Sequence, residues 1–410
     1  MTRLDDGAMR LRDGCPVWQA GPLTPPQRTS SPISIETDIL VVGAGSTGSF
    51  LAERFTRDGY RVALIDRHAP ASGSTAASTA MLLWELDASL LEIEDRLGME
   101  AAAAISSACR QHVFTIGELV HRLCIECDFA FRRSLYLAGN RLDAADLREE
   151  HRLRGHIGIK GAYVDEGGLA ARGFVGGGGL LYPGSAEVDP VKLARGLLAV
   201  AQARGAVVIS PATAMVYHTL RDGVCVETRE GDVVRARALV LANGYEMPDF
   251  LPVPACGHTI VSTWAMATEH GKAPAWPDNA LVWEASDPYL YMRATLDGRV
   301  IVGGADETGV DDAARKGMTA AKVAKLETQS RDRALGLGDL QPEFAWSGAF
   351  GQTGDSLPLI GPVPGRPHCL AAYGYGGNGI TFSALSATML AAQLAGETHP
   401  LARFCALDRG

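Results

Sequence analysis

Four hundred and ten residues, nearly half of them hydrophobic, can bury a large core, and such a length ordinarily divides into two domains or one domain with a sizeable insertion. A net charge of −9 with acids and bases interspersed excludes a long basic surface, so no nucleic acid and no anionic membrane is expected as a partner. No apolar run approaches a membrane span, and MTRLDDGAMRLRDG at the start holds acids instead of an apolar core, so a cytoplasmic protein acting on a small molecule is expected.

Residues 1–35 are rich in Pro, Ser, Thr and Gly without periodicity and read as an irregular surface arm. From Thr37 to Asp66 an apolar strand, a glycine turn, a helix with Leu51, Ala52 and Phe55 on one face, a closing Gly59 and the strand RVALID make a βαβ unit. The helical zone SLLEIEDRLGMEAAAAISSACRQHVFTIGELVHRL then reads as an insertion, followed by a strand at SLYLAG. CIEC, Cys124 to Cys127, lacks the second pair a zinc site needs and reads as helix residues with inert thiols; the ten histidines show no ligand spacing, so no metal is expected. GFVGGGGLLYPG has no lysine for a phosphate loop and reads as a flexible loop near the active-site mouth. Asp189 and Pro190 cap a helix that ends at Gly205 and feeds a strand, RARALVLANGY is a buried strand, and YLYMRATLDGRVIVGGADE is an antiparallel hairpin turning at Asp297-Gly298. A strand, a glycine turn and a closing helix end the chain.

Gly43, Gly45 and Gly48 make G-x-G-x-x-G, which serves a tight turn, a close approach to pyrophosphate and close helix-to-strand packing. The helix opening at Ser46 and Thr47 aims amide hydrogens and a positive dipole end at the phosphates. Asp66 ends the second strand, where a carboxylate accepts ribose hydroxyls and repels a 2′-phosphate. NAD and FAD both fit this fingerprint, but the small and hydroxylated run ASGSTAASTAMLL suits a longer cofactor running past the first unit.

Seven segments in register, DILVVGAGSTG…ALIDR, GSTAASTAML, VDPVKLARGLL, ALVLANGY, YLYMRATLDGRVIVGG, DSLPLIGPV and YGYGGNGIT, resemble the FAD-dependent oxidoreductases of the D-amino-acid oxidase, glycine oxidase and sarcosine oxidase group, from Asp38 onward. The arm CPVWQAGPLTPP also resembles the bacterial amine-oxidising branch that includes γ-glutamylputrescine oxidase. The resemblance implies an α/β fold, with a Rossmann-like FAD-binding domain (36–90, 185–260 and 345–410) and an inserted α+β substrate domain on an antiparallel sheet (91–184 and 261–344). It implies FAD held by Gly43, Gly45, Ser46, Thr47, Gly48, Asp66 and Arg67, with Ser74, Thr75, Ala76, Ser78 and Thr79 on the pyrophosphate and ribityl region. Ala80, Met81 and Leu82 would lie against the isoalloxazine, Met215 at the adenine, Ala242 and Gly244 near the phosphates, and Gly376, Gly377, Asn378, Gly379, Ile380 and Thr381 at the ring's N1/C2 edge. Gly348 borders the ring where relatives with covalently bound flavin carry cysteine, and Ala77 stands near the alternative histidine, so the FAD is expected to be non-covalent.

Arg293 matches the arginine that forks a substrate carboxylate, and Tyr289, Tyr291 and Arg293 alternate onto one strand face. Tyr291, Tyr375 and Trp264 are expected pocket walls, with core packing an equal reading for Trp264. Ile301 replaces a lysine that promotes reaction with oxygen in sarcosine-oxidase-like members. The implied activity is oxidation of the C–N bond of a small amine or amino acid, by hydride transfer from the α-carbon to flavin N5 and hydrolysis of the imine. Oxygen or another electron acceptor takes the electrons. The alternatives are a dehydrogenase feeding a quinone or carrier protein and a non-catalytic FAD-binding protein.

Overall fold

The computed structural model describes residues 2–3, 12–19, 32–248, 251, 254–273, 276–338 and 340–409. Two sheets organise the chain. The first has a parallel centre: Ser34–Val42 lies between Val62–Ile65 and Val233–Leu241, with Val207–Ile209 beyond Val62–Ile65. Val233–Leu241 pairs in parallel with Cys369–Tyr373 at one end and antiparallel with Gly223–Thr228 at the other.

The period of two along these central strands shows why both faces had to be apolar. Ile39 and Val41 join Val62 and Leu64 in a cluster with the helices Ser46–Arg57, Pro190–Ala203 and Gly379–Leu394, while Leu40, Val42, Ala63 and Ile65 face an opposite cluster with Tyr217, Val224 and Val234. Continuous apolar runs are what a strand buried on both sides requires. Asp189 caps the second helix as its sequence predicts, accepting from Val191 and Lys192 amides at 2.9 Å.

The second sheet runs in the order Arg12–Gly14, Pro342–Thr353, His258–Thr268, Val300–Thr308, Leu290–Ala294, Leu281–Glu284, Ala130–Leu137, Gly178–Glu187 and Met81–Leu82, with Ala162–Asp165 also on Gly178–Glu187. Leu281–Glu284 pairs in parallel with Ala130–Leu137; the other pairings given for this sheet are antiparallel. One face, with Met266, Met292 and Val302, is covered by the helix Asp312–Arg333; the other, with Ala265, Ala267, Ile301 and Trp346, meets Trp18 of the arm and Ala77 of the nucleotide-binding part.

Several expectations are corrected. The arm is not irregular throughout: Thr2–Arg3 pairs with Ala214–Leu220, and Arg12–Gly14 forms an edge strand beside Pro342–Thr353, although residues 4–11 and 20–31 lie outside the described set. Trp18 Nε1 donates to Ser78 O at 2.6 Å and Arg12 Nε to Ser72 O at 2.6 Å, which ties residues 12–18 to the cofactor segment. The expected boundaries at 185 and 345 both fall inside strands of the second sheet. GFVGGGGLLYPG is largely strand, because Gly178 and Gly179 make room for the Tyr163 hydroxyl and the Tyr136 carbonyl, which a Cβ would meet at 2.3 and 3.1 Å. CIEC follows the helix Met99–Arg122 instead of lying within it; burial pushes the Cys127 thiol up to about 12, which keeps it unreactive. Among the described residues no helix is long and apolar enough to cross a membrane.

Candidate cofactor and active site

The glycine turn works as its spacing predicts. Gly43 adopts φ +107°, and a Cβ there would sit 2.3 Å from Ala242 O; a Cβ on Gly48 would sit 1.9 Å from Gly43 O. Gly48 therefore acts by letting the first helix approach the turn. That helix begins without a side-chain cap, leaving amides of its first turn for an anion, while Ser46 N donates to Thr75 Oγ1 at 2.9 Å. Asp66 orders the turn from the side, accepting from Ala44 N at 2.7 Å and His68 N at 2.8 Å. Burial raises its pKa, and those two amides oppose the rise.

These groups open onto a cavity of about 570 Å³. Of the expected cofactor residues, Gly43, Gly45, Ser46, Thr47, Asp66, Arg67, Ser74, Thr75, Ala242, Gly244, Gly379 and Ile380 line it. Arg67 is ion-paired with Glu246 on the same wall. Met215 does not line the cavity, whose wall here is Ala212, Thr213 and Ala214, just before a register shift in the strand that carries Met215. Ser74 Oγ, Asn243 Oδ1 and Tyr373 OH are buried on this wall without a hydrogen-bond partner. Unpaired donors and acceptors beside free helix amides fit an elongated phosphorylated ligand such as FAD, whose hydroxyls and phosphates would complete them. Tyr245 and Tyr373, which also line the cavity, were not among the expected residues, although the first adjoins Gly244 and the second lies two positions before Tyr375.

The segment beyond Thr75 leads out of this cavity and into the second sheet. Ala76 is buried, Ser78 Oγ accepts from Ala80 N at 3.1 Å, and Ala80 takes φ +56° before Met81–Leu82 pairs with Ala186 and Glu187. The second glycine turn meets this segment through protein partners. Gly377 N donates to Asp87 Oδ2 at 2.8 Å; Asn378 Nδ2 donates to Glu85 O at 2.7 Å and Leu83 O at 3.3 Å; Thr381 Oγ1 donates to Leu83 O at 3.0 Å. A Cβ on Gly376 would meet Asp87 Oδ2 at 2.2 Å. In this structure Gly377, Asn378 and Thr381 hold residues 83–87 in place through these bonds. Gly348 sits in Pro342–Thr353 opposite Thr263 and Arg12, away from the cavity wall.

The largest correction concerns Arg293. Its face of the strand is the expected one, shared with Tyr291, but its guanidinium is engaged by the protein: Nη1 donates to Glu187 Oε2 at 2.8 Å, Nε to Thr79 O at 2.8 Å and Nη2 to Val188 O at 3.3 Å. Arg293 is buried and lies 5.3 Å from the Trp18 ring centroid. A buried arginine needs a carboxylate, and Glu187 supplies it in place of a substrate. Tyr375 is likewise a strut: its hydroxyl joins Thr47 Oγ1 at 3.3 Å and Ser386 Oγ at 2.9 Å, bracing the helix Ser46–Arg57 against Gly379–Leu394. Trp264 is core, its Nε1 donating to Arg315 O at 3.2 Å with Lys322 Nζ 4.5 Å from the ring centroid.

Of the expected catalytic residues, Tyr375 lines the nucleotide cavity, while Tyr291 lies on the sheet face toward Thr79 and Thr263. Its ring lies where a side chain on Gly303 would stand, and burial raises the pKa of its hydroxyl against the nearby Thr263 and Thr79 side chains. Tyr289 packs beside it with ring centroids 5.4 Å apart. Asp87 and Asp306, neither of which the sequence singled out, flank this tyrosine pair electrostatically.

A dinucleotide turn on a parallel sheet, joined to an antiparallel sheet by the segment that leaves the cavity, defines a flavin-dependent oxidoreductase. The chain belongs to the family of FAD dependent oxidoreductases, whose model matches residues 38–393. It is 28% identical to the tRNA 5-methylaminomethyl-2-thiouridine biosynthesis bifunctional protein MnmC of Ralstonia nicotianae, the match covering 90% of this chain and 59% of that protein. It is 25% identical to the probable oxidoreductase OrdL of Rhizobium meliloti, covering 88% and 86%. Among solved structures, glycine oxidase from Geobacillus kaustophilus superposes with a TM-score of 0.77 at 21% identity, covering 92% and 99%. Iminodiacetate oxidase from Chelativorans sp. BNC1 does so at 0.71 and 22%, covering 90% and 98%.

Proposed function

We propose that this FAD-dependent enzyme oxidises the C–N bond of a small amine or amino acid. The observation that carries the reading is the path of Ser78–Leu82, which leaves the nucleotide cavity and passes under the sheet face bearing Thr263, Tyr289 and Tyr291. Bound flavin supplies a two-electron acceptor for the hydride leaving the carbon beside nitrogen. The chain's own part is to orient and desolvate: the paired tyrosine rings wall the substrate, and Thr79 and Thr263 stand near the Tyr291 hydroxyl. The names of the relatives support the same bond, since glycine, iminodiacetate and a methylaminomethyl group each present a methylene attached to nitrogen. The chain spans about three-fifths of the MnmC relative, so a tRNA substrate is not carried over with the chemistry. Gly348 and Ala77 offer no nucleophile to a flavin, so the cofactor is dissociable.

The test is anaerobic addition of an amine and amino-acid panel to FAD-loaded protein. Loss of the visible flavin band with at least one member is expected; a band unchanged by every member would leave a non-catalytic binder. A second reading, electron delivery to a carrier instead of oxygen, is favoured by Ile301, which is fully buried at the family's lysine position. Slow return of the band on admitting air supports it, and return within the mixing time opposes it.

A further inference from the structure

The sheet face above Ser78–Leu82 carries a charge arrangement that the reading above leaves unused. Ser262 pairs with Glu307 and Trp264 with Gly304, so two residues, Ala305 and Asp306, stand opposite the single Thr263. Ala305 takes φ +56°, and this bulge turns Asp306 toward the Thr263 side chain, which favours its carboxylate form. Asp306 Oδ1 is buried and has no hydrogen-bond partner. An acceptor-only oxygen sealed from water is costly unless something donates to it.

The groups around it do not supply that donor. Lys322, on the helix that covers the opposite face of the sheet, adds positive charge from across it, but its ammonium is held by Ala305 O and Glu307 Oε1, both at 2.6 Å. Asp87 and Asp287 add negative charge from neighbouring segments. Burial first, then these like charges, push the Asp306 carboxyl up to about 7, against Thr263 and Lys322, which hold it down. Tyr289 and Tyr291 face it as well, their phenols pushed up by burial and by Asp306, so they remain neutral rings. The guanidinium expected to receive a carboxylate here is engaged by Glu187.

We propose that Asp306, reinforced by Asp87 and walled by Tyr289 and Tyr291, is the cation-binding end of the substrate pocket, and that the substrate class is a small amine arriving as an ammonium ion with no carboxylate required beside it. The inference rests on the proposed C–N oxidation and narrows it. An ammonium satisfies Oδ1, meets the like charges around it favourably and sits against aromatic faces, whereas an α-carboxylate would bring a third negative charge into the same low-dielectric space.

Anaerobic titrations of FAD-loaded protein followed through the visible flavin spectrum test this with four probes: butylamine, 2-aminobutanoate, and the non-oxidisable pair tetramethylammonium chloride and sodium acetate. The two cations are expected to bind at least about tenfold more tightly than the zwitterion and the anion. Their affinity should fall by about thirtyfold or more in Asp306→Asn, as when one partner of a buried charge pair is removed. In the wild type, tetramethylammonium binding should weaken as pH falls through about 7, because the carboxylate form is the binding form. Asp306→Asn is first shown to keep its FAD; Asp306→Ser serves in its place if it does not. Tighter binding of 2-aminobutanoate or acetate, or cation binding unchanged in the flavin-loaded variant, overturns the inference and leaves C–N oxidation standing. Wild-type protein that takes up no FAD overturns both.

Discussion

The nucleotide end and the substrate end of this molecule meet their ligands with different parts of the chain. At the first, glycines and a helix start present main-chain amides, and Asp66 serves the turn as well as the cavity. At the second, the proposed walls are side chains of Thr263, Tyr291 and Asp306, from three strands of a mostly antiparallel sheet, and of Tyr289 just before one of them. Main-chain recognition depends on close approach and tolerates no added atoms; side-chain recognition depends on which partner each charge has found, and that can change without moving the backbone. The two ends should therefore break in different ways.

The sharpest break is steric. Gly48→Val would put side-chain atoms into Gly43 O, so FAD affinity should fall beyond about a thousandfold, about 4 kcal/mol, in a fluorescence titration. Gly317→Ala, on the exposed side of Asp312–Arg333 with open space around it, should leave that titration unchanged. Equal FAD binding by Gly48→Val would remove the close-approach account.

Next comes the engaged arginine. Arg293→Met leaves Glu187 buried with Arg132, at 2.7 Å, as its remaining cation, and should lower unfolding stability by about 3 kcal/mol in a denaturant titration. Adding Glu187→Gln should restore much of that loss. A variant of wild-type stability that instead loses affinity for carboxylate ligands would return Arg293 to the substrate.

The smallest effect is a surface one at the start of the first sheet. Arg61 hydrogen-bonds to Asp38 and holds its carboxyl down to about 2. Because the folded value lies below the unfolded one, the contribution is complete above about pH 4 and fades as pH falls toward 2. Arg61→Ala should flatten that part of the acid-unfolding curve; an unaltered curve would show the pair to be idle.

What could be seen in the sequence follows the same division. Gly43, Gly45, Gly48 and Asp66 were legible because backbone geometry dictates residue type within a short stretch. Apolar strand runs were legible because a strand covered on both faces cannot afford polar interruptions. Arg293 was legible as to its face but not its fate, since its partner Glu187 lies 106 residues away in another strand. The second glycine turn was legible as a turn ahead of a helix, yet nothing local reveals that Asp87 reaches its amide. GFVGGGGLLYPG misled because glycine usually marks a loop, while here the missing side chains are filled by Tyr163 and the Tyr136 carbonyl from other strands. Asp306 gave no signal at all: its orientation comes from a bulge that only strand pairing reveals.

The bonds from Asn378 and Thr381 to Leu83 and Glu85 join positions up to 298 residues apart. A ribosome makes the first half of this clasp long before the second exists, so a nascent chain can fold its opening βαβ unit without being able to retain the coenzyme. Loading is thereby expected to wait until the helix Gly379–Leu394 has emerged, and a chain ending before it is expected to purify without FAD.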